Sequence, residues 1–413
     1  MDNKEKELSK IVEQQVKQQN NEFEYIKIET PTERKNIFVK DSAEPKALAQ
    51  LENRSDIKAL RIKKLLSLPD LSRTEKSPVK FVADKIVGLP RFKDFDVVTI
   101  PETITVKNNF DLFNFPLDHP SRKETDTYFV NNDRVLCTQT TAMWAYYLKH
   151  PEIRNKLKER GWLGASCYGK TYRKDEIDRT HYPAFHQIDG LYICEKKRKI
   201  ITLDDLVDVL ADIAKGVFGS DVKYKVFPDT FPYTDPSTQM AIEWKGEWLE
   251  VLGAGIVRQQ IYPNFNLDPA IYNGWAFGFG LDRLAMIKMG IPDIRILWST
   301  DERIARQFKN IDSQYQEVSK YPATYRDISF IVDKNTSLNN YYEIIRDQAG
   351  DLIEEVKLID QYKDEKKFGK DKISYTFRIV YRSHERTLEN KEINEIQGKI
   401  REKTQQELNA VLR

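Results

Sequence analysis

Residues 246–290 read GEWLEVLGAGIVRQQIYPNFNLDPAIYNGWAFGFGLDRLAMIKMG. Of the chain's 17 glycines, seven fall in this window: Gly246, Gly253, Gly255, Gly274, Gly278, Gly280 and Gly290. Glycine inside strand-like sequence weakens the strand unless another group must come close to the backbone. Two such runs occur here, the first with Glu250 embedded in it and the second opening a helix that carries Arg283. Gly290 and Pro292 close that helix, as expected of a left-handed cap followed by a helix breaker. Packing of a strand on a helix does not account for Glu250 and Arg283. The stretch predicts a sheet floored with glycine that receives something flat.

Outward from this window, residues 77–308 read as short β-rich runs (DVVTI, TITV, GLYICEKK) with few long helices. One helix is clear, from Leu203 to Val217, with Thr202 as its N-cap and acids in its first turn. The fold class is therefore α+β, an antiparallel-sheet catalytic domain rather than a doubly wound sheet. After a polar linker, 309–318, residues 319–413 run strand, helix, strand, strand, helix, the order of a ferredoxin-like βαββαβ domain. Residues 1–76 read as a peripheral N-terminal extension: a Lys/Glu/Gln-rich helix over 1–20, a strand over Glu24 to Glu29, and a helix from Ile57 to Leu66.

Composition sets the outer bounds. The chain has 413 residues, 40% hydrophobic and 31% charged, with a formal net charge of +2. That aromatic- and apolar-rich content excludes a mainly disordered chain. No stretch is apolar over the length of a bilayer, so no membrane partner is expected. Cys137, Cys167 and Cys194 lack the spacing of a zinc ribbon or a disulfide scaffold. The acidic start, MDNKEKELSK, has no apolar core, which predicts a cytoplasmic, bacterial-type protein.

A second cluster, TYRKDEIDRTHYPAFHQIDGL (171–191), places Arg173 at the opening of a charged loop and Phe185 where the chain re-enters a strand. His181 and His186 have no nearby cysteine or histidine to complete a metal set. Arg173, Glu250 and Arg283 together make a set for gripping a nucleotide: guanidinium groups pair with phosphate and stack on a base, and a carboxylate holds Mg²⁺. There is no GxxxxGK[ST] and no dinucleotide fingerprint.

These segments resemble a known family. GWAFGFGLDRLAMIKMGIPDIR is similar to motif 3 of class II aminoacyl-tRNA synthetases, and TYRKDEID…HYPAFHQ to motif 2. DHPSRKETDTYFV, HYPAFHQIDGL, FPYTDPS, GEWLEVLGAG and IPDIR resemble the phenylalanyl-tRNA synthetases, and YPATYRDISF resembles the opening of that family's ferredoxin-fold anticodon-binding domain. Both parts on one chain match the single-chain, mitochondrial type, so the resemblance implies the mitochondrial matrix as the alternative compartment. The resemblance covers residues 77–413.

It implies ATP-dependent activation of phenylalanine, transfer to the terminal ribose of tRNA(Phe), and Mg²⁺ as the cofactor. Arg173 and Arg283 would be the catalytic residues, Arg173 on the α-phosphate, with His181 near the phosphates. Phe185 and Arg283 would sandwich adenine, and Glu250 would hold Mg²⁺. Gln187 and Asp189 would face the substrate's ammonium group, with Gln139 and Thr141 orienting it. Phe231 and Tyr233 would wall its ring, Ala276 would set pocket depth, and Gly253 and Gly255 would leave room for the ring. Lys366, Lys367, Arg378 and Arg382 would contact tRNA. The chain departs from the family at Gln139-Thr140-Thr141 (usually His-Thr-Ser), at Asp189 (usually Glu) and at Tyr233 (usually Phe). A monomer is expected. The alternatives are a non-catalytic tRNA-binding relative and a class II enzyme for a related amino acid.

Overall fold

The computed structural model describes residues 23–29, 34–318 and 321–413; the helix expected over 1–20 lies outside them. Nine strands form the larger sheet: β1 (Phe23–Glu29), β2 (Lys35–Asp41), β3 (Asp96–Thr99), β4 (Trp162–Tyr172), β5 (Ala184–Glu195), β6 (Tyr224–Phe231), β7 (Thr234–Trp244), β8 (Glu247–Val257) and β9 (Tyr272–Gly280). Their order across the sheet is β1-β2-β3-β4-β5-β9-β8-β7-β6. From β4 to β6 every neighbour is antiparallel, while β2, β3 and β4 run parallel. The TIT run expected in this body pairs instead with Arg134–Leu136 in a separate two-stranded ladder.

Alternate residues of a strand face opposite sides, and here the two sides have different tasks. Ile188, Phe277 and Phe279 point into a core shared with three helices, Pro78–Val87, Leu203–Phe218 and Leu281–Met289. Thr202 caps the second of these, in a reciprocal capping box with Asp205. Gly290 ends the third in the left-handed region, φ +68°. The intervening β5 and β9 residues face the opposite side, where the cavity described below lies.

Residues 35–76 are not peripheral. Strand β2 pairs with β3 inside the nine-stranded sheet, and Leu71 is buried in the main core. Helices α1 (Glu44–Glu52) and α2 (Ile57–Ser67) pack on Tyr128 and Tyr172. Lys170, 6% exposed, fixes the end of α2 by donating to Leu68 O at 2.5 Å and pairing with Glu102 at 3.1 Å. A cation at the carbonyl end of a helix is favourable, and the buried ammonium is satisfied.

The second sheet has four antiparallel strands, β10 (Thr324–Asp333), β11 (Ile353–Tyr362), β12 (Lys372–Tyr381) and β13 (Val411–Leu412), in the order β11-β12-β10-β13. Helices α3 (Leu338–Ala349) and α4 (Asn390–Leu408) contribute Tyr341, Ile345, Ile393 and Ile400 to the core on one face. The last helix stops at Leu408 because Asn409 turns left-handed, φ +50°, which frees the final residues to pair with β10. The order is therefore βαββαβ.

Candidate active site

The floor of the site is a row of residues in register. Cys167 on β4 lies opposite Asp189 on β5, Asp189 opposite Gly278 on β9, Gly278 opposite Gly253 on β8, and Gly253 opposite Gln239 on β7. The neighbouring rows pair Gln187 with Gly280, and Ala276 with Gly255. This face lines a cavity of about 460 Å³ that brings together Gln139, Thr141, Arg173, Gln187, Asp189, Phe231, Tyr233, Gly253, Gly255 and Ala276.

The glycines clear space, but for other side chains of the protein. A Cβ on Gly278 would stand 2.4 Å from Asp189 Oδ1, one on Gly253 would stand 3.2 Å from the Phe231 ring, and one on Gly255 would stand 2.4 Å from Thr234 Cβ. Room at Gly253 and Gly255, expected for a ligand ring, is thus taken by Phe231 and Thr234. What the glycines permit is a carboxylate, an aromatic wall and a threonine lying flat on the sheet.

At the inner end Asp189 is 2% exposed and accepts a hydrogen bond from the Thr141 hydroxyl. Burial pushes its carboxyl up to about 6, against the pull of Thr141, Thr140 and the positive field of Arg173. A buried carboxylate, ionised above that range, is a partner for a cation. Beside it, Gln187 Oε1 is a buried acceptor with no donor among the described residues. Gln139 is turned to the wall, its Nε2 donating to Asn109 O at 3.0 Å. Tyr233 stands edge-on to Phe113 (5.6 Å) and Trp144 (6.0 Å) and stacks on Phe231 (6.3 Å). Burial first, then the Asp189 charge, pushes its phenol up to about 12, so it is neutral.

At the outer end Arg173 Nε donates to Thr138 O at 3.1 Å, and its guanidinium lies 5.3 Å over the Phe185 ring. Arg283, on the helix that follows β9, meets Glu250 of β8: Arg283 Nε donates to Glu250 O at 2.8 Å, and Gln239, with its amide oriented to satisfy its neighbours, donates its nitrogen to both Glu250 carboxylate oxygens at 2.8 Å. Phe185, Glu250 and Arg283 lie beyond the residues that line the cavity. Behind them, buried His186 couples β5 to the helix carrying Arg283. Its Nε2 accepts from Leu71 N at 3.0 Å, its Nδ1 donates to Asp282 Oδ1 at 3.1 Å, and its own N–H donates to Asp282 Oδ2 at 2.5 Å. Both ring nitrogens are therefore engaged, and His186 is structural.

Two expected residues stand elsewhere. His181 is exposed and lines a separate small cleft with Arg61, Tyr182 and Arg346, because its Nδ1 pairs with Asp178 Oδ2 at 2.7 Å. Arg382 is held by Glu354, which also binds Arg179 from the catalytic half, and donates to Tyr321 O at 2.9 Å. It belongs to the junction between the domains rather than to a free surface. Arg378 pairs with Asp327 and lies 4.2 Å over the exposed Tyr325 ring, and Lys366 and Lys367 are exposed on the turn Glu365–Phe368.

The cavity also uses residues that sequence reasoning left unassigned. Phe110, Phe115, His119, Ser121, Asp126 and Thr127 line it, most of them from or beside the quoted segment DHPSRKETDTYFV, and Trp144 closes the aromatic end. Trp144 falls in an apolar helical run, AMWAYY, whose pattern signals core and nothing more.

Comparison with known proteins agrees with this architecture. A family model described as tRNA synthetases class II core domain (F) matches residues 63–308, and one described as ferredoxin-fold anticodon binding domain matches 319–413. The chain belongs to the class II aminoacyl-tRNA synthetases. Among its relatives are the phenylalanine–tRNA ligase, chloroplastic/mitochondrial, of Arabidopsis thaliana (38% identical, covering 83% of this chain and 80% of that one), and the mitochondrial phenylalanine–tRNA ligases of Dictyostelium discoideum (34%; 78% and 80%) and Mus musculus (35%; 76% and 74%). Within the class it belongs to the phenylalanine–tRNA ligases, and it joins phenylalanine to tRNA at the expense of ATP. These relatives overturn the expectation of a cytoplasmic, bacterial-type protein: the chain is of the mitochondrial type. Among the described residues, no helix is long and apolar enough to cross a membrane.

Proposed function

We propose that the cavity holds phenylalanine with its ammonium group on Asp189 and Gln187 and its ring against the wall made by Phe231 and Tyr233, while ATP lies along the outer end. Ala276 then bounds the ring's depth, and Gln139 and Thr141 shape the ammonium end, Thr141 by orienting the Asp189 carboxylate. The observation that carries this reading is the polarity of one continuous cavity. It has a buried carboxylate at one end, aromatic walls beside it, and a guanidinium at the mouth.

In the first step the amino acid's carboxylate attacks the α-phosphorus of ATP, expelling pyrophosphate. Arg173, at the mouth of the cavity, is assigned to pair with both the attacking carboxylate and the α-phosphate, cancelling their repulsion and the charge that builds on phosphorus. Phe185 and Arg283 offer two faces for adenine, one aromatic and one cationic. In the second step a ribose hydroxyl of tRNA attacks the carbonyl of the aminoacyl-adenylate, forming the ester as the bond to phosphate breaks and AMP leaves. The hydroxyl's proton meets the proton balance, and no protein nucleophile is required.

Glu250 is the residue that would hold Mg²⁺. Among the described residues no group of three or more His, Cys, Asp or Glu side chains could enclose a metal. The Glu250 carboxylate, next to the opening of the helix that carries Arg283, fits an ion that takes one or two carboxylates and completes its shell with phosphate and water. When bound, the ion would neutralise phosphate charge. We assign tRNA contact to Lys366, Lys367 and Arg378. The domain limits are read as a catalytic body up to 308, a linker over 309–318 and a tRNA-binding domain from 319. We read the active unit as a monomer.

Pyrophosphate exchange measured against a panel of amino acids tests the pocket assignment, with phenylalanine expected to dominate. Arg173→Ala should lower exchange by about 10³-fold while the protein stays folded, the scale of losing a transition-state charge partner. Wild-type exchange in the folded variant would end the Arg173 assignment.

A further inference from the structure

The four main-chain carbonyls that follow Arg173 all accept hydrogen bonds from the C-terminal domain. Asn339 Nδ2 donates to Lys174 O at 3.2 Å, Arg346 Nη2 donates to Asp175 O and, at 3.0 Å, to Glu176 O, and Val356 N donates to Ile177 O at 2.8 Å. The Ile177 side chain is 7% exposed and belongs to the hydrophobic core of that domain, with Tyr342, Ile353 and Val356. A charged loop between two strands would leave these carbonyls to water. Here they are bound by residues more than 160 positions away in sequence.

The donors are themselves held. Arg346 Nη1 donates to Glu343 Oε1 at 2.7 Å, and the same buried carboxylate oxygen accepts from Tyr128 OH, in the catalytic half, at 2.9 Å. Asn339 Nδ2 also reaches Thr125 O at 2.8 Å. The segment 174–177 is thus gripped through its backbone, where side-chain substitution in the loop would not release it. Arg173 is fixed on its other side by β4 and by its bond to Thr138 O. The Phe231, Asp189 and Gly278 end of the cavity has no such dependence, since it stands on paired strands.

We infer that Asn339 and Arg346 are positioning residues for amino-acid activation: by holding the backbone of 174–177 they set the Arg173 guanidinium at the ATP end of the cavity. This rests on the assignment of Arg173 made above. It makes the C-terminal domain a structural part of the ATP site as well as a tRNA-binding element.

The test uses the full-length chain and pyrophosphate exchange, with ATP and phenylalanine varied separately. Asn339→Ala and Arg346→Gln should each lower kcat/KM for ATP by about tenfold, leaving KM for phenylalanine within about twofold, because a small misplacement of a catalytic group is costly while the strands are untouched. Arg346→Lys, able to reach one carbonyl instead of two, should recover part of the loss. Hydrogen exchange at the amides of residues 174–178 should quicken in the same variants. Tyr182→Phe serves as the control: the Tyr182 hydroxyl donates to Asp351 Oδ1 (3.0 Å) across the same junction but bonds to none of the four carbonyls. It should change ATP use by about twofold at most, the scale of one solvent-exposed hydrogen bond.

Wild-type kcat/KM for ATP in both Asn339→Ala and Arg346→Gln, with the segment's amides exchanging faster, would overturn the inference. So would an equal loss in Tyr182→Phe, which would assign the effect to domain docking at large. Should Arg346→Gln fail to fold, Asn339→Ala decides alone. Retention of exchange by Arg173→Ala would instead bring down the underlying assignment, whatever the other variants do.

Discussion

The two ends of the cavity are built on different physics. The amino-acid end is a patch of sheet: Asp189, Gly278, Gly253 and Ala276 are placed by strand register, and backbone pairing on both sides fixes each of them. The ATP end hangs on a loop and the start of a helix, where Arg173 and Arg283 depend on contacts made from elsewhere. A patch of sheet can be read from alternation and glycine spacing. A loop takes its shape from whatever covers it.

The largest expected effect breaks the sheet-built end alone. Asp189→Asn removes the anionic partner of the substrate's ammonium while leaving the shape nearly unchanged. Losing a buried charge pair costs roughly 3 kcal/mol or more, so KM for phenylalanine should rise by about 10²-fold or more, with ATP binding unaltered. The same variant should be more stable. The Asp189 carboxyl titrates near about 6 in the folded chain, above its unfolded value, so the folded state binds the proton more tightly and stability is lost as pH rises through that range. A neutral Asn avoids the loss, and chemical denaturation at pH 8 should show a gain of about 2 kcal/mol. In the wild type, KM for phenylalanine should climb as pH falls below about 6. A flat profile there would remove Asp189 from ammonium binding.

Next in size is Gly278→Ala. Its new methyl would meet Asp189 Oδ1 at 2.4 Å, inside any tolerated contact, and the neighbour is a carboxylate fixed by Thr141. Overpacking of this kind costs about 1–3 kcal/mol. The expected result is a rise of about tenfold to a hundredfold in KM for phenylalanine, with the ATP dependence spared. Equal damage to both substrates would show that the two ends are less separate than their construction suggests.

That separation also explains what the sequence disclosed. The α+β class, the Leu203–Phe218 helix and the βαββαβ order follow from periodicity and caps, which are local. Asp189, Gln187, Gly253, Gly255 and Ala276 share the cavity because period-two alternation and the glycine runs specify one face of adjacent strands. His181 and Arg382 went elsewhere because each is claimed by a carboxylate its motif does not reveal: Asp178 one turn back, and Glu354 at the domain junction. The sheet membership of residues 35–41 was hidden for a similar reason. A parallel strand pairs with a partner 61 positions distant, Asn36 with Val97, and short sequence patterns carry no trace of it. His119 and Trp144 were overlooked because a turn residue and a core tryptophan look the same whether or not a cavity lies beside them.

A smaller effect sharpens the sheet end. Tyr233→Phe removes a neutral hydroxyl that sits among Thr141 and Asp189 without being the group that holds Asp189. A single buried hydrogen bond is worth about 1 kcal/mol, so exchange with phenylalanine should change by about fivefold at most. A loss of hundredfold would make the hydroxyl part of substrate recognition.

The smallest effect belongs to the loop-built end. The His181 imidazole is raised above its ordinary range by its hydrogen bond to Asp178, whose own carboxyl is held to about 2 because the bonds from His181 and Thr180 outweigh its burial. A histidine raised on folding stabilises fully below its unfolded value and loses that contribution as pH rises through the folded one. His181→Ala should therefore lower the melting temperature more at pH 6 than at pH 8.5, since the pair is charged only at the lower pH. Its position in the cleft with Arg61 and Arg346, apart from the cavity, predicts that KM for ATP moves by about threefold or less, the scale of an exposed pair. A loss of ATP affinity comparable to that of Arg346→Gln, with no pH-dependent change in melting, would mean that the loop turns His181 toward the phosphates once ATP is bound. The cleft would then be only its resting place.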